Sequence, residues 1–483
     1  MQDLIPADGA NKRAHWLRRL CHSPGLAYRA LRWRTGHWLP DHLLHHRPLD
    51  LRRMPKDVPI DIVLVIVDHY EPRQNDGPGA AVESVRSWCE DYERIAGRHR
   101  DADGRPLQHT WFYPAECPNL DCVQVLSDST FRGFGEVEFH LHHGYDTQAT
   151  FAAKLNAGLD WFNQAGAMLT AEGRPQRRFA YIAGNWALDN GVGDDSLSGC
   201  NTELVVLGEA GCYADFTFPA LGVRSQPRKT NAVYYAIDDP QPKSYDRGVD
   251  VAVGRPACGD LMIFQGPLVI DWQTGKFEDG ALELCSPPSP DRLTNWLGAH
   301  IHVQGRPEWI FVKLHTHGIQ SQTAFLGPGL DAMLQAMCLR WNRPPFRLHF
   351  ACAREAYNIV KAAEAGLAGN PNDYRDFLIS PPANRRIHCN RPWRLVRYEP
   401  GCIQLQILDP GLAEIQFAPD PLLWVRGTIK RLGAEFVGNQ IKSLDIDGSG
   451  DYEVKVSPQC PGAPGRRLPK AAVEQLLASG RGG

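Results

Sequence analysis

Pro59-Ile-Asp-Ile-Val-Leu-Val-Ile-Val67 is the stretch that decides the fold, and Asp68 and His69 follow it directly. Six of its nine residues are Ile or Val, and Asp61 is the one charge. Branching at Cβ favours extended backbone, and an apolar run without alternation suits a strand buried on both faces. Such strands belong to parallel sheets covered by helices. The flanking sequence supplies the helices. Val82, Val85, Cys89 and Tyr92 recur at helical spacing with charges between them. Further strands are predicted at 108–113, 136–142, 178–183, 308–314 and 347–351, an extended segment at 261–271, and helices at 152–169, 329–341 and 355–363. This alternation over about 310 residues predicts an α/β chain built on a parallel sheet or barrel.

Polar residues gather where the strands end: Asp68-His69, Glu116, His140-Leu-His142, Asn185 and His315-Thr-His317. In parallel barrels the C-terminal strand ends form the active-site face. The densest group lies in Glu136-Val-Glu-Phe-His-Leu-His-His-Gly144. Alternation sends His140 and His142 to one face of the strand, where neutral imidazoles can share a metal, while His143 points away. A metal with open coordination positions can polarise an amide carbonyl and acidify water. Asp68 could take a proton from that water, and His315 or His317 could protonate a leaving amine. Each residue also has a plain structural alternative. Asp68 could cap the following loop, and His69 could be a solvated strand end. Trp186 could be core, Asp189 and Asp215 could satisfy turn donors, and Glu116 could pair with an arginine.

The order of these motifs resembles the polysaccharide deacetylase family (NodB-like, carbohydrate esterase family 4-like). Its first motif, TFDDG, is matched by Val67-Asp-His-Tyr-Glu71; its HxxxH motif by the HxH of His140 and His142. Tyr181-Ile-Ala-Gly-Asn-Trp-Ala-Leu-Asp189 resembles the divergent RAGxWGxD motif, with Ile182 in place of the arginine. Glu209-Ala-Gly-Cys-Tyr-Ala-Asp215-Phe-Thr217 resembles the ELGFxYDSS strand. Val312-Lys-Leu-His315-Thr-His317 stands where a leucine-then-histidine motif supplies the general acid. The resemblance spans residues 59–365 in the family's order. It implies an α/β fold, specifically a distorted (β/α) barrel of the polysaccharide deacetylase type. It also implies a divalent metal, zinc, held by His140, His142 and a group from Asp68-His69. Asp68 would be the base, with His315 or His317 the acid. Glu116, Trp186, Asp189 and Asp215 would line the substrate site. The substrate would be an N-acyl sugar, a glycan or a sugar-linked precursor.

Two other readings compete. An amidohydrolase-like barrel also uses HxH, but on its first strand, whereas here two strands precede it. A degenerate barrel that binds saccharide or scaffolds a polysaccharide-synthesis complex would agree with the missing arginine and the appended β module.

The chain of 483 residues holds more than this domain. Residues 1–55 carry ten Lys/Arg against four Asp, a formal +6, so the rest carries −9. Trp16, Tyr28, Trp33 and Trp38 interleave with the arginines. We expect a basic helical arm, packed on the body or in peripheral contact with anionic lipid. Residues 56–368 form the barrel, 369–393 a Pro- and Asn-rich linker, 394–460 a small antiparallel β module, and 461–483 a tail. Asp445-Ile-Asp447-Gly-Ser-Gly-Asp451 resembles a calcium loop, but its twelfth position is Val456 where a bidentate Glu is required, so a hairpin turn is expected. The 13 cysteines are odd in number and never spaced CxxC, which argues against a disulfide framework or zinc ribbon. An acidic body without a recognition module argues against nucleic acid. No apolar run approaches the roughly 18–20 residues that span a bilayer. No secretory signal opens the sequence, so a cytoplasmic location is expected, peripheral at the inner membrane face if the arm binds lipid.

Overall fold

The computed structural model describes residues 32–72, 77–167, 169–170, 177–271 and 274–399, and beyond them strand backbone as far as Lys455. The body contains β1 (Ile60–His69), β2 (His109–Pro114), β3 (Gly135–Leu141), β4 (Leu169–Thr170), β5 (Arg177–Ala183), β6 (Cys212–Asp215), β7 (Val233–Ala236), β8 (Val249–Asp250), β9 (Leu261–Phe264), β10 (Val269–Asp271), β11 (Lys276–Glu278), β12 (Trp309–Thr316) and β13 (Phe346–Ala351).

The main sheet runs β12-β1-β2-β3-β5-β6-β9-β7-β8. It is parallel from β12 to β9, and β7 adds an antiparallel edge. β1 is the hub. Asp61–Asp68 pairs with Trp309–Thr316 on one edge. On the other, Ile60–Val65 pairs with β13 and Ile66–His69 with β2. All ten of its residues are buried, which satisfies the demand of its apolar run. Its faces divide cleanly. Ile60, Ile62, Leu64 and Ile66 pack under the helices, while Val63, Val65 and Val67 join a second core on the opposite face. Each such Val, Leu or Ile contributes about 1.5–3 kcal/mol by burial.

The second core shows how the sheet curls. Phe264 of β9 and Phe311 of β12 stand at the two ends of the parallel run, yet their rings meet edge to face at 5.5 Å. The hydrogen-bonded path does not close on itself among the described residues, so the structure shows a curled, mostly parallel α/β sheet. Helices Pro78–Ala96, Leu120–Phe131, Gln148–Gln164 and Pro328–Trp341 cover the outer face. Helix Ala353–Glu364 instead enters the inner core, with Tyr357 as its one residue short of full burial. Its charges are therefore paired: Arg354 donates twice to Glu136 at 2.8 Å and once to Asp376 at 2.6 Å.

Several expectations shift. The helix placed at 152–169 is Gln148–Gln164, because Thr147 caps it by accepting from Thr150 N, and Gly166 turns left-handed after it. The extended 261–271 segment divides into β9 and β10 around Gly266-Pro267. Residues 369–393 are not a loose linker: Arg375 donates to Glu355 and Phe350 O, Arg385 to Glu136, and Asn384 to Ser127. Strands Leu444–Asp447 and Gly450–Lys455 flank the aspartate-rich turn but pair with strands of two different sheets, so they do not form a hairpin. Of the basic arm, residues 1–31 lie outside the described residues. Helix Thr35–His45 packs on the body: Trp38 is fully buried against Leu268 and Ile270, and His37 contacts Asp246 at 2.8 Å. Trp38 is thus core and not offered to a lipid surface. No described helix is long and apolar enough to cross a membrane.

Candidate metal centre

The chain returns to one end of the sheet four times, and each return leaves a ligand-type side chain. His69 ends β1 and Glu71 lies two residues beyond it. His140 and His142 straddle the end of β3, Glu116 follows β2, and His317 follows β12. These are the C-terminal ends of parallel strands. Alternation selects the face. His69 shares the inner face with Val63, Val65 and Val67, whereas Asp68 shares the helix-covered face with Ile62, Leu64 and Ile66.

Two trios at this end of the sheet could hold a metal ion: His69, Glu71 and His317; and Glu71, His140 and His142. Within each, one ligand atom per residue lies within 4.8 Å of the others. Glu71 Oε1 is 3.2 Å from His140 Nε2 and 3.6 Å from His142 Nε2. Gln320 Nε2 donates to Glu71 Oε2 at 2.9 Å and fixes the carboxylate.

Three of the histidines are oriented from behind. His140 Nδ1 donates to Ile182 O at 2.9 Å, His142 Nδ1 to Glu116 at 2.5 Å, and His317 Nδ1 to Glu283 at 2.7 Å. Each bond places a hydrogen on Nδ1 and turns Nε2 towards the centre, where it could ligate a metal once it carries no proton. That is how metal-binding histidines are held in one tautomer and orientation. The electrostatics agree. Burial, then the charges of His317 and His140, hold His69 well below its ordinary value, so it is the neutral ligand form. Burial works to raise Glu71, but the His140 hydrogen bond and the charges of His140 and His142 bring it below the ordinary value, so it stays ionised. Burial opposes the charged form of His142 and His317 too, yet Glu116 and Glu283 raise them overall.

Trp186 closes one wall, its ring 5.6 Å from His69 and 5.5 Å from His317. It stands in a turn where Asn185, Trp186, Asp189 and Asn190 all have positive φ, between 49° and 56°. Such angles are uncommon outside glycine and mark a segment that its surroundings hold in place.

Other expected residues are elsewhere. Asp68 belongs to neither trio. It is fully buried, accepting from His109 Nε2 at 2.8 Å and from Gly318 N at 2.7 Å. Its side chain is sealed on the helix side because it is out of phase with His69 by one residue. His315 is buried with Nδ1 unpaired, and burial and Lys313 push it down to about 3. It is therefore neutral near pH 7, without the extra proton a general acid would give up, and it joins neither trio. Asp215 accepts from the Thr217 hydroxyl and amide, and Asp189 from Ser244 N, so both are buried turn anchors. His143 faces away as expected, 3.1 Å from Asp146. Glu71, Glu283 and Gln320 escaped the sequence reading. Glu71 had a signal: in extended chain it shares the face of Val67 and His69.

No protein-family model matches the chain, and no curated protein does. Among solved structures, it is similar to one described as a "putative polysaccharide deacetylase from Mycobacterium smegmatis", with 12% identity, 65% of this chain and 93% of that chain covered, and a TM-score of 0.35. A score that low identifies neither fold nor activity, so the functional reading rests on the geometry of the site itself.

Proposed function

We propose that the protein is a metal-dependent hydrolase that removes an acyl group from an N-acyl sugar or glycan, its curled sheet a barrel of the deacetylase type. The observation that carries this reading is the convergence of Glu71, His140 and His142 at the strand ends, with each histidine fixed through Nδ1. Two imidazoles and a carboxylate suit zinc or another divalent ion of its class. A bound ion of that kind supplies Lewis acidity towards an acyl carbonyl and lowers the pKa of water.

The residues of the chain do the rest. Amide hydrolysis forms a C–O bond from water, breaks the C–N bond, and moves one water proton to the leaving amine. Asp68 is sealed from solvent and cannot serve as that proton's first acceptor. Glu116 and Glu283 are partly open, and each is already hydrogen-bonded to a histidine of the cluster. The His142–Glu116 and His317–Glu283 pairs flank the centre and can each hold a proton and hand it on. Trp186 offers its ring as a wall against which a sugar face can pack. The sealed Asp68, like the Ile182 that stands in place of the motif's arginine, favours a binding or scaffold role.

Metal analysis of purified full-length protein, together with acyl release from a panel of N-acyl sugars and glycans, tests the proposal. We expect stoichiometric divalent metal, lost in Glu71→Ala, and acyl release that follows metal content. Metal-loaded wild type inert across the panel would leave the scaffold role. Wild type without metal affinity would overturn the centre itself.

A further inference from the structure

We infer that the centre is built for two divalent ions sharing Glu71, one with His140 and His142 and the other with His69 and His317. This rests on the metal-dependent reading of the site and extends it from one ion to two.

The first support is the grouping of the ligands. The five residues fall into two trios with Glu71 in common and do not form one set at the same spacing. Nitrogen ligands at about 2.0–2.1 Å from one zinc-sized ion lie at most about 4.2 Å apart, so five donors on one ion would form a single close group. Two ions bridged by a carboxylate need the arrangement seen, because paired catalytic ions sit about 3.5–4 Å apart.

The second support is that the outer hydrogen bonds come in duplicate. Glu116 stands behind His142 in one trio, and Glu283 stands behind His317 in the other. A carboxylate behind a histidine is the usual partner of a metal ligand, and each half of the site has one. The third support is charge. Three carboxylates, Glu71, Glu116 and Glu283, stand together at one partly buried site. One dication would leave them in excess, whereas two leave a single positive charge for an anionic or polarised ligand.

One further trio, Glu136, Cys352 and Glu355, has metal-like spacing, but Arg354 and Arg385 donate to Glu136 and Arg105 and Arg375 to Glu355, so its carboxylates are already engaged.

The test is to load full-length protein with manganese, count the metal by elemental analysis, and record its paramagnetic resonance spectrum. We expect two manganese ions per chain and the broadened spectrum of an exchange-coupled pair. His69→Ala, with His69→Gln as the gentler variant, should bring the count from two to one and give the spectrum of an isolated ion. His140→Ala should do the same from the other side, and Glu71→Ala should weaken both. One ion in wild type, unchanged by His69→Ala or His69→Gln, overturns the second site while leaving the hydrolase reading intact. One ion lost equally in the His69 and His140 variants shows a single centre and also overturns it. Absence of metal from wild type overturns both readings.

Discussion

Asp68→Asn separates an anchoring role from a proton-transfer role. The carboxylate accepts from the buried His109 ring at 2.8 Å and from the Gly318 amide at 2.7 Å. Asparagine keeps the shape but offers one acceptor oxygen and one donor amide, so His109 either faces a donor or switches tautomer and leaves its buried Nδ1–H unpaired. Hydrogen bonds to charged groups contribute about 1.5–3 kcal/mol, and leaving a buried donor unpaired costs about 1–3 kcal/mol. Burial also pushes the Asp68 pKa up, although His109 opposes this, so removing the charge returns part of the loss. The net cost should be about 2 kcal/mol, a fall in Tm of roughly 3 °C for a domain of this size. Metal at the His140–His142 trio should survive, because Asp68 touches neither histidine. Calorimetry with metal analysis in parallel measures both, and acyl release measures the third quantity. An unchanged Tm with turnover reduced by roughly 10²–10⁴-fold would refute the anchoring argument and restore Asp68 as the base.

Glu116→Gln and Glu283→Gln should each weaken metal affinity by about 10- to 100-fold without changing the fold, as measured by chelator competition. Asp189 gives a pH prediction. Burial pushes it up to about 9, so between its ordinary value and that pH the folded chain holds a proton that the unfolded chain releases. Stability from this group therefore falls as pH rises, by about 1.4 kcal/mol per pH unit. Urea midpoints of Asp189→Asn should gain on wild type between pH 6 and 8.5, and a constant difference would exclude the assignment. Trp38→Ala should release helix Thr35–His45 and speed proteolysis within it while metal content stays constant. Arg354→Ala should cost about 3–5 kcal/mol by leaving Glu136 with a broken buried pair, visible as a lower urea midpoint.

The residues that sequence made legible are those governed by local periodicity. The run from Ile60 to Val67 needed two covered faces, and β1 has them. The pair His140 and His142 follows from alternation alone, and both reach the centre. Asp68 and His69 show where that logic was set aside. Matching a motif placed both in the site, but a strand sends neighbours to opposite faces, and only His69 points inward. Glu71 obeys the same alternation and was overlooked because it lies past the strand end. Glu283 had no local signal. It arrives through an irregular segment whose neighbour Ala281 bridges to His315 of β12, a contact that only tertiary structure defines. Helix Ala353–Glu364 was expected, yet its entry into the inner core depends on Arg354 finding Glu136, 218 residues away.

The position of β1 between β12 and β13 has a consequence for how a ribosome must make this protein. β1 is complete once residue 69 has emerged, but its partner β12 ends at Thr316 and β13 at Ala351. At about 5–20 residues per second, this apolar strand waits roughly 12–50 s with an open edge before its principal neighbour exists. An unpaired, flat, hydrophobic edge is a template for pairing with other chains. Nascent chains stalled between residues 70 and 316 should therefore be the aggregation-prone species, and a holdase that shields Ile60–Val67 should matter more to yield than any stabilisation of the finished fold.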